Sequence, residues 1–491
     1  MNLRRLCWAA LLSGLWACSS GDRERYTLHT PPTGETEPGT ERTPRTPASA
    51  ASITLPAGSR YFERDGRLAP LLMRNISAST PDAFTPLFAA AQAAGTSLVR
   101  LQLTQGFGYD TLGIDRNGEV LEGWAAAWDR VFDEAERQGL GVIPVFAIWG
   151  DWNDGLPPLG WSHFSANPLG SAHGGPAAAP AELFADTATQ RLWLGWLSAL
   201  VQRWSAWPNV SAWELFSELD LASGASEPDC TAFVERAGAQ VRALDPLGRP
   251  VFASTSDLPL LDRKPWTSLW ASAGNDLVSV HPYDAALDRI ALERVTAALS
   301  LTDKPVLIGE SGLDAAPPDG TTLSSAPGAE RALSSAIWAE LVSGAANARA
   351  LYWEDGYSLY YPATGSALVM ARAGLEQLAA QWLSGKDFSG SSAAELTGSP
   401  PVFGAALASN ERVFGWVRDS AFTAPDWSSP GWEQLQLEVR LPEGSADGPW
   451  HITLTDTASG VSRQVAGMAR AGVLSFEAGG APGALAFAAS R

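Results

Sequence analysis

The sequence predicts an α/β protein, a (β/α)8 barrel of the TIM type followed by a small all-β sandwich. Three observations carry that expectation: eight short apolar, β-branched runs in series, amphipathic stretches between them, and a switch to period-two alternation near residue 388. The runs are Leu71 to Ile76, Ser97 to Leu103, Val142 to Ala147, Val210 to Phe216, Val251 to Thr255, Leu277 to His281, Val306 to Glu310 and Ala348 to Trp353. The stretches Trp124 to Gln138, Thr189 to Trp204, Cys230 to Leu244 and Ala329 to Ala345 have the spacing of helices with one apolar face. Eight such units over roughly 330 residues match a barrel with inserted loops. A doubly wound open sheet is the alternative, weakened by the lack of a G-x-G-x-x-G turn.

Ahead of the barrel, Arg4 and Arg5 precede the apolar run CWAALLSGLWA, which is too short to stay in a bilayer as a spanning helix and reads as a secretion signal over residues 1–17. Leu15-Trp16-Ala17-Cys18 resembles the bacterial lipobox, which makes Cys18 the expected site of lipidation. Residues 18–52 are rich in Pro, Thr, Gly and Glu and poor in large apolar side chains, the composition of a flexible tether. With Cys7 in the signal and Cys18 modified, Cys230 alone remains of the 3 cysteines, and no internal disulfide is expected. An exported protein held at a bacterial membrane, at the outer membrane or cell surface, is the expected location, with the lipid as its one membrane contact.

The net charge of −19 argues against nucleic acid and acidic polymers as partners and leaves neutral ligands. Trp, at 21, outnumbers Tyr and Phe, a weak pointer to sugar rings, on which indole stacks well. A monomer is the expected state.

In a barrel of this kind the site lies at the C-terminal strand ends. Those ends carry Arg100 on the second strand, Ser217-Glu218 on the fourth, His281-Pro282-Tyr283 on the sixth, Glu310 on the seventh and Trp353-Glu354 on the eighth. Two carboxyls facing each other across one mouth suit glycosidic cleavage, which needs one acid kept protonated and one kept ionised. The long loop from Trp149 to Ala185, with Trp149, Trp152 and Trp161, is expected to wall the cleft. Its Asp151, Asp154, His163 and His173 match no zinc or calcium spacing, so neither metal nor cofactor is expected. Glu214, on the same strand face as Glu218 but deeper, reads as the partner of a buried arginine, Arg74 or Arg100.

The order Trp213-Glu214-Leu215-Phe216-Ser217-Glu218, Val280-His281-Pro282-Tyr283, Ile308-Gly309-Glu310-Ser311-Gly312 and Trp353 resembles the clan of retaining glycoside hydrolases that includes the cellulases and mannanases of glycoside hydrolase family 5. The likeness covers roughly residues 56 to 388. Asn167-Pro168 through Gly174-Gly175-Pro176, Phe184 and Arg203-Trp204 resemble cellulase-like bacterial proteins whose fourth strand reads W-E-L-W-N-E. The resemblance implies that Glu218 is general acid and base, Glu310 the nucleophile, Arg100 and Tyr283 its flanking groups, His281 a bridge toward the acid, and Trp353 the floor beneath the sugar. It implies a mannan- or glucan-like β-linked poly- or oligosaccharide as substrate. Ser217 departs from it, since the clan has Asn there to bond the sugar 2-hydroxyl. A degenerate barrel that binds carbohydrate without cleaving it is therefore the alternative.

From residue 389 on, Val413 to Val417, Leu435 to Leu441, Trp450 to Thr455 and Val473 to Phe476 alternate between turn residues, as sandwich strands do. The stretch Ile452 to Gly460 resembles the sandwich that often follows such barrels. Trp416, Trp427 and Trp432 are candidates for sugar contact or, more simply, for packing against the barrel.

Overall fold

The computed structural model describes residues 53–105, 112–155, 163–256, 266–315, 321–355, 374–480 and 483–491. Cys18, the signal, the tether and Trp161 lie outside the described residues.

Eight parallel strands follow the eight runs: β1 (Leu71–Asn75), β2 (Leu98–Gln102), β3 (Gly141–Val145), β4 (Trp213–Glu214), β5 (Val251–Phe252), β6 (Val278–Val280), β7 (Val306–Ile308) and β8 (Asn347–Ala348). Each is shorter than its run because the C-terminal ends leave the ladder, several of them turning into 3-10 segments such as Trp149–Trp152, Leu219–Leu221 and Trp353–Asp355. Six strands form one sheet in the order β8-β1-β2-β3-β4-β5, and β6 pairs with β7. Bridges from Tyr283 to Gly312 and from Ser311 to Leu351 carry the curl onward from β6 to β8. On the other side, the Asp276 N–H donates to the Val251 carbonyl at 2.8 Å.

Alternation along the strands divides two environments. Leu98, with Met73, Ile143, Ala212 and Phe252, belongs to one apolar cluster. Val99 and Leu101 belong to another, which includes Phe84, Phe88 and Trp128 on the helices. Arg100 and Gln102 share parity with Leu98, so they rise from the apolar layer toward the mouth.

The main helices are α1 (Phe84–Ala93), α2 (Glu122–Arg137), α3 (Thr187–Trp204), α4 (Glu227–Leu244), α5 (Leu287–Leu301), α6 (Ala329–Leu341) and α7 (Gln377–Leu383). Asp186 caps α3 by accepting from the Thr189 N–H at 2.7 Å, and α4 opens on Ser226 with a proline in its first turn. Helix α2 buries Trp124, Trp128, Val131, Phe132 and Ala135 at helical spacing. No helix among the described residues is long and apolar enough to cross a membrane.

Nine antiparallel strands between Ser392 and Ser490 form a second, nearly closed all-β sheet. The sequence pattern points to four of them. The other five, Ser392–Ala394, Leu396–Ser399, Val402–Ala408, Ser462–Arg470 and Ala484–Ser490, are rich in Ala, Gly and Ser, whose small side chains give little alternation to read.

This module packs on the barrel through aromatic rings and ion pairs, Arg412 with Asp387 and Arg418 with Asp288. Phe388 stacks on Phe414 with ring centroids 4.1 Å apart, and Trp416 is buried in a cluster with Leu72, Trp338 and Trp382. Arg418 reaches back to Asp288 on α5, with Nη2 donating at 3.1 Å, while Ser335 of α6 donates to the same carboxylate at 2.9 Å. Trp427 packs with Leu287 and Leu333, and Trp432 lies in the module's own core. All three candidate tryptophans are thus buried, and none offers a face to a sugar.

Candidate active site

Arg100 organises the centre. It is fully buried on β2, and every one of its N–H groups has an acceptor. Nε and Nη2 donate to Glu214 at 2.6 and 2.8 Å, Nη2 also to Ser217 Oγ at 2.8 Å, and Nη1 to Asn75 Oδ1 at 3.1 Å and Glu310 Oε1 at 2.8 Å. Burial disfavours its charge, but Glu214 and Glu310 more than offset that and hold the guanidinium protonated. Glu214 is its structural partner. The Glu214 carboxylate also accepts from Ser254 Oγ at 2.9 Å.

Glu310 follows β7 and gathers donors. Oε1 accepts from Arg100 and from Gln102 Nε2 at 3.2 Å, and Oε2 accepts from the Tyr283 hydroxyl at 2.8 Å. Burial pushes its pKa up, but the charges of His281 and Arg100 and the Tyr283 hydrogen bond outweigh burial and hold it below the ordinary carboxyl value. Tyr283, its own ionisation suppressed by burial and by Glu310, stays a phenol and donates.

Glu218 has the opposite surroundings. Burial first, then the Glu310 charge, push its pKa up to about 7. Its backbone is left-handed, at φ 60 and ψ 52, a conformation that β-carbon-bearing residues adopt at a cost. The Glu218 N–H donates to Ser254 Oγ at 3.1 Å, and the Leu219 N–H to the Ser254 carbonyl at 3.0 Å, so β5 holds the turn. His281 Nδ1 lies 2.8 Å from Glu218 Oε1 and 3.8 Å from Glu310 Oε2. Burial disfavours its charge, yet the two carboxylates raise its pKa above the ordinary value.

The two glycines flanking Glu310 make room for these neighbours. A β-carbon on Gly309 would stand 2.6 Å from His281 Nε2, and one on Gly312 would stand 2.7 Å from Glu354 Oε2 and 2.9 Å from the Tyr283 ring.

One ligating atom each of Glu218, His281 and Glu310 lie within 4.8 Å of one another. Three such groups can ligate a small cation, but here the Arg100 guanidinium already holds Glu310 and repels one. In the long loop, His163 lies 3.8 Å from Asp151, while the His173 ring meets the Ser165 carbonyl and Asp154 accepts from Ser223. Those four side chains do not converge.

Of the residues expected at the site, Arg100, Ser217, Glu218, His281, Tyr283 and Glu310 come together. Trp353 is half-buried, its ring perpendicular to Tyr352 with centroids 4.9 Å apart. Trp149 is also half-buried, and its backbone N–H donates to the Ser217 carbonyl at 3.0 Å. Trp152 is a correction. It is 2 % exposed and packs on Phe164 inside the core, so it offers no cleft surface. The sequence reading missed Asn75, Gln102, Ser254 and Tyr352. Asn75 and Gln102 are polar residues that close largely apolar strands on the inward face, Gln102 two positions beyond Arg100, which was the signal available.

No known family profile matches the chain, and no curated protein matches it. Solved structures do match in shape. A glycoside hydrolase family 5 protein from Bacteroides vulgatus ATCC 8482 superposes with TM-score 0.60 at 11% identity, covering 90% of this chain and 94% of its own. The chain shares its fold. A structure described as a glycoside hydrolase gives TM-score 0.57 at 12% identity, covering 90% and 97%. A putative glycoside hydrolase from the same Bacteroides strain gives 0.54 at 11%, covering 90% and 83%.

Proposed function

We propose that this chain is a retaining glycoside hydrolase that cleaves a β-linked poly- or oligosaccharide, with Glu218 as general acid and base and Glu310 as nucleophile. The observation that carries the reading is the opposed pair: oxygens of the two carboxyls lie within 4.8 Å, and their surroundings drive the pKa values apart. That spacing suits the roughly 5–5.5 Å of a retaining pair, whereas inversion needs ~6.5 Å or more to seat a water between the groups. Sharing a fold with glycoside hydrolases is consistent with this, though the residues carry the argument.

In the first step Glu218, still protonated, gives its proton to the leaving oxygen while Glu310 forms a bond to the anomeric carbon. In the second, Glu218 takes a proton from the incoming water, and Glu310 departs. Trp353 serves as the sugar floor and Trp149 as cleft wall. Ser217 has its oxygen engaged by Arg100 and retains its own proton to donate to the sugar. We further propose export, with Cys18 as lipid anchor at the bacterial outer membrane or cell surface and the tether giving the enzyme reach to a polymer.

Reducing-sugar release from β-mannans, β-glucans and xylans by the form lacking residues 1 to 20, beside Glu310→Ala, tests this. Release that disappears in Glu310→Ala supports the reading and names the substrate class. Polymer binding with no release from any of them replaces it with the carbohydrate-binding alternative that Ser217 raises.

A further inference from the structure

The two oxygens of Glu310 are held unequally. Among the described residues Oε1 accepts two hydrogen bonds, from Arg100 and Gln102, and Oε2 accepts one, from Tyr283. The Gln102 amide has a fixed sense, because the Glu310 carboxylate can only accept and so faces the amide nitrogen, which leaves the amide oxygen to accept from the Tyr352 hydroxyl at 2.9 Å. Gln102 and Tyr352 are each 5 % exposed, so water competes little for these bonds. An oxygen that already accepts two donors has less lone-pair density to share. Oε2 is then the attacking atom, and Oε1 becomes the carbonyl oxygen of the glycosyl ester.

We propose that Gln102, oriented by Tyr352, is a positioning residue for the second half of the reaction, stabilising the charge that returns to Glu310 as the sugar leaves. The proposal rests on the reading of Glu310 as nucleophile. In the first half, Oε2 donates its electron pair to the anomeric carbon and the bond to the leaving oxygen breaks with the proton of Glu218. Glu310 passes from anion to neutral ester, and a donor on Oε1 loses strength along the way. In the second half, water attacks the same carbon and gives its proton to Glu218. The pair of the carbon–Oε2 bond returns to the carboxylate, and negative charge reappears on Oε1 in front of Gln102. A donor placed there assists departure and slightly restrains attack.

The test uses the full chain in mild detergent with 2,4-dinitrophenyl β-glucoside, β-mannoside, β-xyloside and β-cellobioside, whose leaving group makes the second half rate-limiting. Gln102→Met, similar in length but without the amide, is expected to lower kcat about tenfold, the worth of one hydrogen bond to a charged group. KM falls with it, leaving kcat/KM within about threefold of the parent, and the intact mass shows one added glycosyl unit. Tyr352→Phe shifts kcat and KM in the same direction by about threefold, and it carries the test if Gln102→Met does not fold. A fall in kcat/KM as large as that in kcat, or an unchanged kcat in a folded variant, overturns the proposal while leaving the hydrolase reading intact. A parent protein that turns over none of the four and forms no adduct overturns the hydrolase reading and this one with it.

Discussion

Glu218→Gln tests whether the site is held together against its own chemistry. In the folded chain the Glu218 carboxyl has a pKa pushed from 4.5 to about 7. At about 1.4 kcal/mol per pH unit, keeping it ionised in the fold costs about 3 kcal/mol. The folded value is raised, so the folded state binds the proton more tightly than the unfolded chain does. Stability from this group is therefore complete below pH 4.5 and is lost as pH climbs to about 7. Glutamine does not titrate, and its amide oxygen can still face His281. Glu218→Gln should match the parent near pH 4 and exceed it by about 3 kcal/mol at pH 8. Unfolding entropy of ~2.1 cal/mol/K per residue makes that roughly 3 °C in midpoint for a folded body of some 440 residues. Thermal melts at pH 4, 6 and 8, followed by tryptophan fluorescence, read the difference directly. A gap between variant and parent that stays constant with pH would refute the reasoning, whatever its size.

Activity of the parent should fall on the basic side with a midpoint near 7, as Glu218 loses the proton it must donate; kcat/KM against pH for a glycoside with a poor leaving group reads this. Gly309→Ala drives a methyl against His281 Nε2 and Ser279 Oγ, and a loss of activity above tenfold with about 1–3 kcal/mol of destabilisation is expected from urea unfolding and steady-state rates. Arg418→Ala leaves the Asp288 carboxylate buried without its cation, so urea titration should show a loss of about 3–5 kcal/mol, and Asp288→Asn in the same chain should recover part of it. Ser217→Ala strands one Arg100 N–H in the core, costing about 1–3 kcal/mol by the same titration.

Barrel strands could be read from the sequence because each is buried on both faces and so stays apolar along its length, with the exceptions falling where the interior turns polar. Arg100, Glu214, Glu218 and Glu310 stood out for the same reason: a charge in such a run needs a partner in the fold. Gln102 and Tyr352 did not, since neither carries a charge and what matters in them is which neighbour each faces. Trp152 misled, because a tryptophan in a long loop reads alike whether it lines a cleft or plugs the loop onto the core. The all-β module was legible where Val and Leu alternate. It was hidden where Val402–Ala408 and Ala484–Ser490, which flank Arg412–Asp419 on its two sides, carry mostly small side chains.

At the seam between β8 and β1, Arg349 donates to Asp355 at 2.7 Å and lies 3.0 Å from Glu376, which also accepts from Arg74 at 2.8 Å. Asp355 and Glu376 bracket residues 356–373, and all four charged side chains are buried. Arg349 thereby ties together the chain on either side of that stretch, and Arg74 joins the same cluster from the first strand. One buried set of two cations and two carboxylates sews the last strand of the barrel to its first, so the ring is closed there by charge as well as by backbone.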